Sequence, residues 1–276
     1  MNQSTDSTDA AEIVSYYENV DEDQRLTSGR GLIEFVRMQE LLGRFLPSPP
    51  GVVLDVGGGS GRYSTWLAAR GYEVHLIDPV PKHLDQACKA SSLQPAHPIA
   101  TISAGDARSL PQENESCDAV LLMGPLYHLT RRNDRLMALG EAHRVLKPGG
   151  LAVAKAINRF ASLVDGLAFS QAPSFFDLIE RDLEDGQHRN PEAKPEYFTT
   201  SFFHRPEDLE AEVREAGLKV SDLISVQGPG RLVRDFEAFW NDPGRREQLL
   251  RLIRKVEREP TLLGVSPHFV VIATKE

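Results

Sequence analysis

Between Gly51 and Ile157 short apolar runs keep returning, separated by amphipathic stretches of helical period. "GVVLDV", "EVHLID", "IATISAGDA", "CDAVLLMG" and "LAVAKAI" read as strands, and "GRYSTWLAARG", "KHLDQACKAS" and "RRNDRLMALGEAHRVLKPGG" as helices closed by Gly71 and a Pro-Gly-Gly turn. Parallel strands need crossovers long enough to carry the chain back, so this alternation specifies a parallel sheet with helices on both faces. Upstream, Leu32, Phe35, Val36, Leu41, Leu42, Phe45 and Leu46 recur near helical spacing until "PSPPG" stops the helix. Downstream the pattern breaks. Helical stretches are expected around Ala161–Phe169 and Ser174–Leu183, followed by a polar loop. "RPEDLEAEVREAG" is a capped amphipathic helix closed by Gly217, and "KVSDLISVQG" and "HFVVIATKE" are two last strands around a helical insertion, Arg231 to Arg258.

Composition narrows the setting. Hydrophobic residues make up 41% and charged residues 26% of the 276, ordinary for a globular protein. No apolar run approaches the roughly 18 residues of a membrane helix, and the polar start lacks a signal peptide's basic and apolar regions. The expected compartment is the cytoplasm. The net charge of −9 is concentrated in residues 1–23, which carry seven acids and no Lys or Arg. Such a balance disfavours a nucleic-acid partner, which would need a basic stripe. Residues 1–11 read as a frayed polar end. Cys88 and Cys117 form no CxxC pair and read as free thiols, and no HxH, HxxxH or HExxH pair suggests a metal.

The stretch "VLDVGGGSGR" then decides the ligand class. Its glycines stand between the first strand and the first helix, where a ligand meets bare backbone and the helix N-terminus. A phosphate loop needs Gly-Lys-Ser/Thr, but Arg62 and Tyr63 follow Gly61. A dinucleotide site needs GxGxxG. Counted from Gly57 the third glycine is Arg62, and counted from Gly59 it is Ser64. The spacing that fits is acidic-x-Gly-x-Gly-x-Gly: Asp55, Gly57, Gly59, Gly61. Asp78 ends the second strand, where a carboxylate can accept two hydrogen bonds from a ribose diol. Gly58 has no evident task.

With "GDA" after the third strand, "CDAVLLMG" as the fourth and "RVLKPGG" before the fifth, the sequence resembles a class I S-adenosylmethionine (AdoMet)-dependent methyltransferase from about Leu41 to Ile157. "LMGPLYHL" and "LLGVSPHFVVIATK" look like a bacterial group within that family, some of it near the quinone-biosynthesis type. The resemblance implies an α/β, Rossmann-like doubly wound sheet of seven strands, the last antiparallel, with helical lid insertions. As one domain over 1–276, it divides into an N-terminal arm and helix at 12–46, a core at 51–157, 205–228 and 267–276, and lid insertions at 158–204 and 229–266. AdoMet is the implied cofactor. The resemblance puts Asp55, Gly57, Gly59, Gly61, Asp78, Asp106, Ala107 and Met123 around it, Asp106 on the adenine amino group and the next N–H on a ring nitrogen. An N-terminal Tyr16, or an arginine among Arg25, Arg30 and Arg37, meets the methionine carboxylate.

Methyl transfer from a sulfonium is an in-line displacement, so positioning dominates. A base helps where the acceptor must lose a proton. His128 and Tyr127 follow the fourth strand at the mouth, and His128 reads as a base, as pocket wall or as structure. The fourth-strand NPPY tetrapeptide of amine-directed relatives is replaced by "GPLY". The expected partner is a small molecule, with no membrane. The aromatic set Phe160, Phe169, Phe175, Phe176, Tyr197, Phe198, Phe202 and Phe203 suits an aromatic or apolar substrate or a small lid core. The acceptor atom is O, N or C, and an RNA methyltransferase or a non-catalytic AdoMet-binding protein stay open as alternatives, as does the oligomeric state.

Overall fold

The structure, a computed structural model, describes residues 3–20, 22–169, 173–190, 194 and 197–276. Its strands are β1 (Val52–Val56), β2 (Glu73–Asp78), β3 (Thr101–Ala104), β4 (Cys117–Leu122), β5 (Leu146–Ile157), β6 (Gln187–His188), β7 (Ser201–Phe202), β8 (Leu218–Ser225) and β9 (His268–Lys275). Seven of them form one sheet in the order β3-β2-β1-β4-β5-β9-β8. β1 to β5 pair in parallel, while β9 runs antiparallel to both β5 and β8. The Rossmann-like sheet with its last strand reversed is therefore the observed fold. Strand order turns back at β1 and β4, so the crevice beyond their carboxyl ends is where an open α/β sheet holds a ligand.

Alternation along the strands builds two apolar layers. Leu54, Val56, Val120 and Leu122 face helices Arg132–Val145 and Pro206–Glu215, packing on Ala138, Leu139, Ala142, Leu209 and Val213. Val53, Val74, Leu76, Ala119 and Leu121 face Gly31–Phe45 and Arg62–Ala68, packing on Met38, Leu41, Leu42 and Leu67. β5 starts earlier than the sequence suggests. The "KPGG" turn belongs to it, because Leu146 pairs with Cys117 before the register shifts.

Two expectations at the edges change. The N-terminus is helical from Gln3 to Asn19. Ile13 and Tyr17, one turn apart, bury against Val80, and Asp9 and Glu12 accept hydrogen bonds from Thr130 (2.8 Å) and Thr200 (2.5 Å). These contacts hold a segment whose composition alone reads as frayed. The insertion after β8 packs on the helix that precedes β1. Phe236, Trp240, Leu249, Leu250 and Ile253 cluster on Ile33 of the helix Gly31–Phe45. The other insertion carries helices Ala161–Phe169 and Pro173–Asp185 and the β6–β7 pair, whose first strand falls inside the expected polar loop. Part of that polar loop, 191–193 and 195–196, lies outside the described residues. Among the described residues no helix is long and apolar enough to cross a membrane.

Candidate active site

The glycine turn is fastened to the neighbouring strand before any ligand is considered. The N–H groups of Gly57 and Gly58 both donate to the Ile77 carbonyl, at 2.7 and 3.3 Å. Gly57 has φ +68°, and a Cβ there would stand 2.9 Å from Pro125 Cδ. Gly58 now has a task. A Cβ on it would meet Leu76 Cγ at 2.8 Å and Asp55 Oδ2 at 3.0 Å, so its bareness lets β1's turn lie on β2. The Gly59 N–H donates to Asp78 Oδ2 at 2.8 Å, tying the turn to the end of β2. Gly61 starts the helix Arg62–Ala68 and packs on Ala87, outside the set of cavity-lining residues.

These elements wall a first cavity at the crevice, lined by Asp55, Gly57, Gly58, Gly59, Asp78, Asp106, Ala107, Met123, Tyr127 and His128. Asp55 is buried. Its Oδ2 accepts from Ser64 at 2.7 Å, while its Oδ1 has no partner. Burial, aided by the nearby Asp78 charge and opposed by the Ser64 bond, pushes its pKa up to about 6. Asp78 accepts from the Val80 N–H at 2.9 Å and faces His83 Nδ1 at 3.1 Å. Asp106 stands at the rim. Partial burial works against its charge, yet the side-chain and backbone bonds from Arg108 hold its pKa below the usual range.

Tyr127 and His128 sit on the short helix Pro125–His128 that leaves β4. His128 Nδ1 lies 3.3 Å from the Thr200 carbonyl, and its Nε2 lies 2.8 Å from the Tyr17 hydroxyl. A carbonyl only accepts, so Nδ1 carries the proton and the neutral ring takes the Tyr17 hydroxyl hydrogen at Nε2. Packing among aromatic rings strips water from the imidazole and pushes its pKa down to about 4.

A second cavity opens behind this wall. Phe175, Leu178, His188, Tyr197, Phe198 and Phe203 are among the residues that line it. His188 is fixed by Asp182 at 2.9 Å and stacks on Phe203 with ring centroids 4.8 Å apart. Tyr17, Arg25 and Tyr127 line both cavities. The aromatic set picked from sequence thus divides. Four of its members line this cavity, Phe169 and Phe176 are exposed, and Phe202 and Phe160 lie under the Arg135 and Arg205 guanidinium groups at 3.9 and 5.7 Å.

Between the cavities lies a buried charge cluster that the sequence reading missed. Glu34 accepts from Arg25 Nη1 at 2.6 Å and from Lys155 Nζ at 2.7 Å. Burial raises its pKa, but the Arg25 and Lys155 charges outweigh that and hold it well below the ordinary value. His268, 3.6 Å away, is pushed down to about 3 by burial and stays neutral. Lys155 and Arg25 line the first cavity, and Glu34 the second. A lone lysine in the apolar run "LAVAKAI" was the available signal. Of the arginines considered from sequence, Arg37 is buried against Glu257 and Arg30 donates to the carbonyls of Arg231 and Val233. Arg25 is the one at the cavities. Tyr16 lines the second cavity, 5.6 Å from Phe198 ring to ring, and its neighbour Tyr17 lines both cavities. One residue along a helix turns the side chain about 100°, enough to exchange the two.

Residues 54–154 match the methyltransferase domain family. An uncharacterized methyltransferase of Mycobacterium tuberculosis is 36% identical over 111 residues, 40% of this chain and 42% of the relative, so the match spans under half of that relative's length. A ubiquinone biosynthesis O-methyltransferase of Xylella fastidiosa is 30% identical over 178 residues, 63% of each chain. Among solved structures, the Burkholderia thailandensis 1,6-didemethyltoxoflavin-N1-methyltransferase shares the fold with a TM-score of 0.59 at 17% identity, covering 96% of this chain and 88% of that one.

Proposed function

We propose that this chain, which carries a class I AdoMet-dependent methyltransferase domain, transfers the AdoMet methyl group to a small aromatic hydroxyl compound held in the second cavity. The observation that carries the reading is the pair of cavities meeting at one wall. One is built of glycine backbone and strand-end carboxylates, and the other of aromatic rings. A methyl donor in the first and a flat acceptor in the second would face each other across Tyr17 and Tyr127. The small-molecule relatives support that choice of acceptor, the ubiquinone-pathway O-methyltransferase above all.

The residues of the first cavity fit AdoMet. The backbone at Gly57 and Gly58 leaves no room for a Cβ, and the buried, unpartnered Asp55 Oδ1 offers an acceptor beside the turn. In this reading Asp78 holds the ribose diol, and Asp106 with the Ala107 N–H holds the adenine. Met123 packs beside the cofactor. The excess positive charge of Arg25 and Lys155 over Glu34 draws the methionine carboxylate. The cofactor supplies an electrophilic methyl group on a sulfonium. The protein aligns the acceptor oxygen, excludes water and receives a proton, with His128 within reach as base. Cys88 and Cys117 are free, and the reading places the reaction in the cytoplasm.

Titration calorimetry tests the cofactor half: S-adenosylhomocysteine should bind with micromolar affinity, and no heat at millimolar ligand would sink the reading. A panel of phenols and catechols, assayed by mass spectrometry for a gain of one methyl, tests the acceptor half.

A further inference from the structure

We propose that Tyr17 and His128 form a proton relay that takes the acceptor's hydroxyl proton during methyl transfer, which makes Tyr17 a catalytic residue and restricts efficient acceptors to those that enter protonated, such as phenols and catechols. The inference rests on the function proposed above.

Four observations carry it. Tyr17 lines both cavities. Its hydroxyl lies 2.8 Å from His128 Nε2. The Thr200 carbonyl at Nδ1 fixes the tautomer that leaves Nε2 open to accept. Finally, the N-terminal helix is anchored on the acceptor side, because Thr200, which orients His128, also donates to Glu12 of that helix at 2.5 Å. At the other end the Lys82 ammonium gathers the carbonyls of Tyr17, Glu18 and Val20 at 3.1, 3.0 and 2.9 Å, fixing the backbone at Tyr17 itself.

The step balances. The acceptor O–CH3 bond forms as the S–CH3 bond breaks. The acceptor's proton passes to Tyr17 Oη, and the Tyr17 proton passes to His128 Nε2. The positive charge that was on sulfur ends on the His128 imidazolium, which returns the proton to solvent. A neutral hydroxyl that gains a methyl becomes an oxonium, far more acidic than any side chain, so a weakly basic imidazole suffices. The depressed His128 pKa of about 4 keeps that imidazole neutral throughout the neutral range. Titratable groups facing it are Tyr17 from the N-terminal helix, Tyr127 from its own helix, and Asp78 and His83 from β2 and the helix after it.

Two measurements test the relay. In the unliganded protein, ¹⁵N NMR of the histidines should show His128 with its proton on Nδ1 and none on Nε2 at pH 7; a proton on Nε2 would overturn the relay. In turnover with a catechol, Tyr17→Phe should lower kcat about 100-fold, at the lower end for lost proton transfer, while cofactor affinity by calorimetry changes less than about threefold. The wild-type rate should stay flat between about pH 6 and 8. The variant's rate should climb toward tenfold per pH unit as the acceptor ionises unaided, a signature that a merely structural tyrosine would not produce. An active wild type with an unchanged kcat and a flat profile in Tyr17→Phe overturns the relay alone. A wild type that methylates no acceptor overturns the relay together with the functional reading beneath it.

Discussion

The two cavities share a wall and are built on different principles. The first is made where the chain turns at strand ends, and much of its surface is backbone: three consecutive glycines, the Asp78 bonds to the Gly59 and Val80 N–H groups, and the bare approach of Gly57 to Pro125. The second is made of side chains that reach in from the N-terminal helix, the insertion after β5 and the entry to β9. A backbone wall cannot be altered without altering the fold, which suits a ligand common to many chains. A side-chain wall can be changed ring by ring, which suits a ligand particular to one.

That contrast can be broken at several points. Gly57→Ala should cost the most, about 3 kcal/mol of unfolding free energy, from the left-handed φ and the overpacking against Pro125 together. Chemical denaturation measures it, and an unchanged midpoint would show that this wall tolerates side chains after all. Asp78→Ala should weaken AdoMet binding about 30-fold, near 2 kcal/mol, because a charged acceptor is lost and two N–H groups lose their partner. Calorimetry on the variant decides this, and an unaltered affinity would take Asp78 out of the site.

The next effect turns on pH. Asp55 has a folded pKa of about 6, above its ordinary 3.8, so it is neutral below pH 6 and charged above. For the unliganded fold, the stability contributed by the neutral form is present at low pH and lost as pH rises through 6. For a cationic sulfonium ligand the sign reverses. Affinity should fall as pH drops from 7 to 5, by at most about tenfold per unit. Asp55→Asn should flatten the profile, and a flat wild-type profile would remove Asp55 from the interaction. The smallest effect belongs to the side-chain wall. Phe198→Ala should raise the acceptor KM about fivefold, near 1 kcal/mol, and leave cofactor affinity alone. If both change together, the cavities are not the separate constructions described here.

The same division explains what could be read in advance. The parallel sheet and its order of elements follow from periodicity and from the crossover rule, both of which are local, while the reversed last strand comes only with the family resemblance. The cofactor-side candidates Asp55, Gly57, Gly59, Asp78, Asp106, Ala107 and Met123 come together because each stands at or just past the carboxyl end of a strand, and strand ends are where the pattern is plainest. The other wall gathers Tyr17, Phe198, His188 and Glu34 from distant segments, and no spacing rule links positions that meet only through tertiary packing. Tyr16 and Tyr17 show the grain of the difficulty. The pair is obvious, but the choice between them depends on the phase of a helix whose buried face, Ile13 and Tyr17, is weakly marked in a polar segment. Lys155 and Glu34 belong to no motif, one standing in a core strand and one on a helix face, although a buried charge always requires a partner somewhere.

Tyr17 belongs to both cavities at once, and that has a thermodynamic consequence. A shared wall element cannot settle against one occupant without changing what it offers the other. Whatever factor by which the bound cofactor alters the affinity for the acceptor, the bound acceptor alters the affinity for the cofactor by the same factor. In the proposed reading both occupants act as effectors of each other, and binding either one in the presence and absence of the other measures a single number that the shared wall of Tyr17, Arg25 and Tyr127 sets.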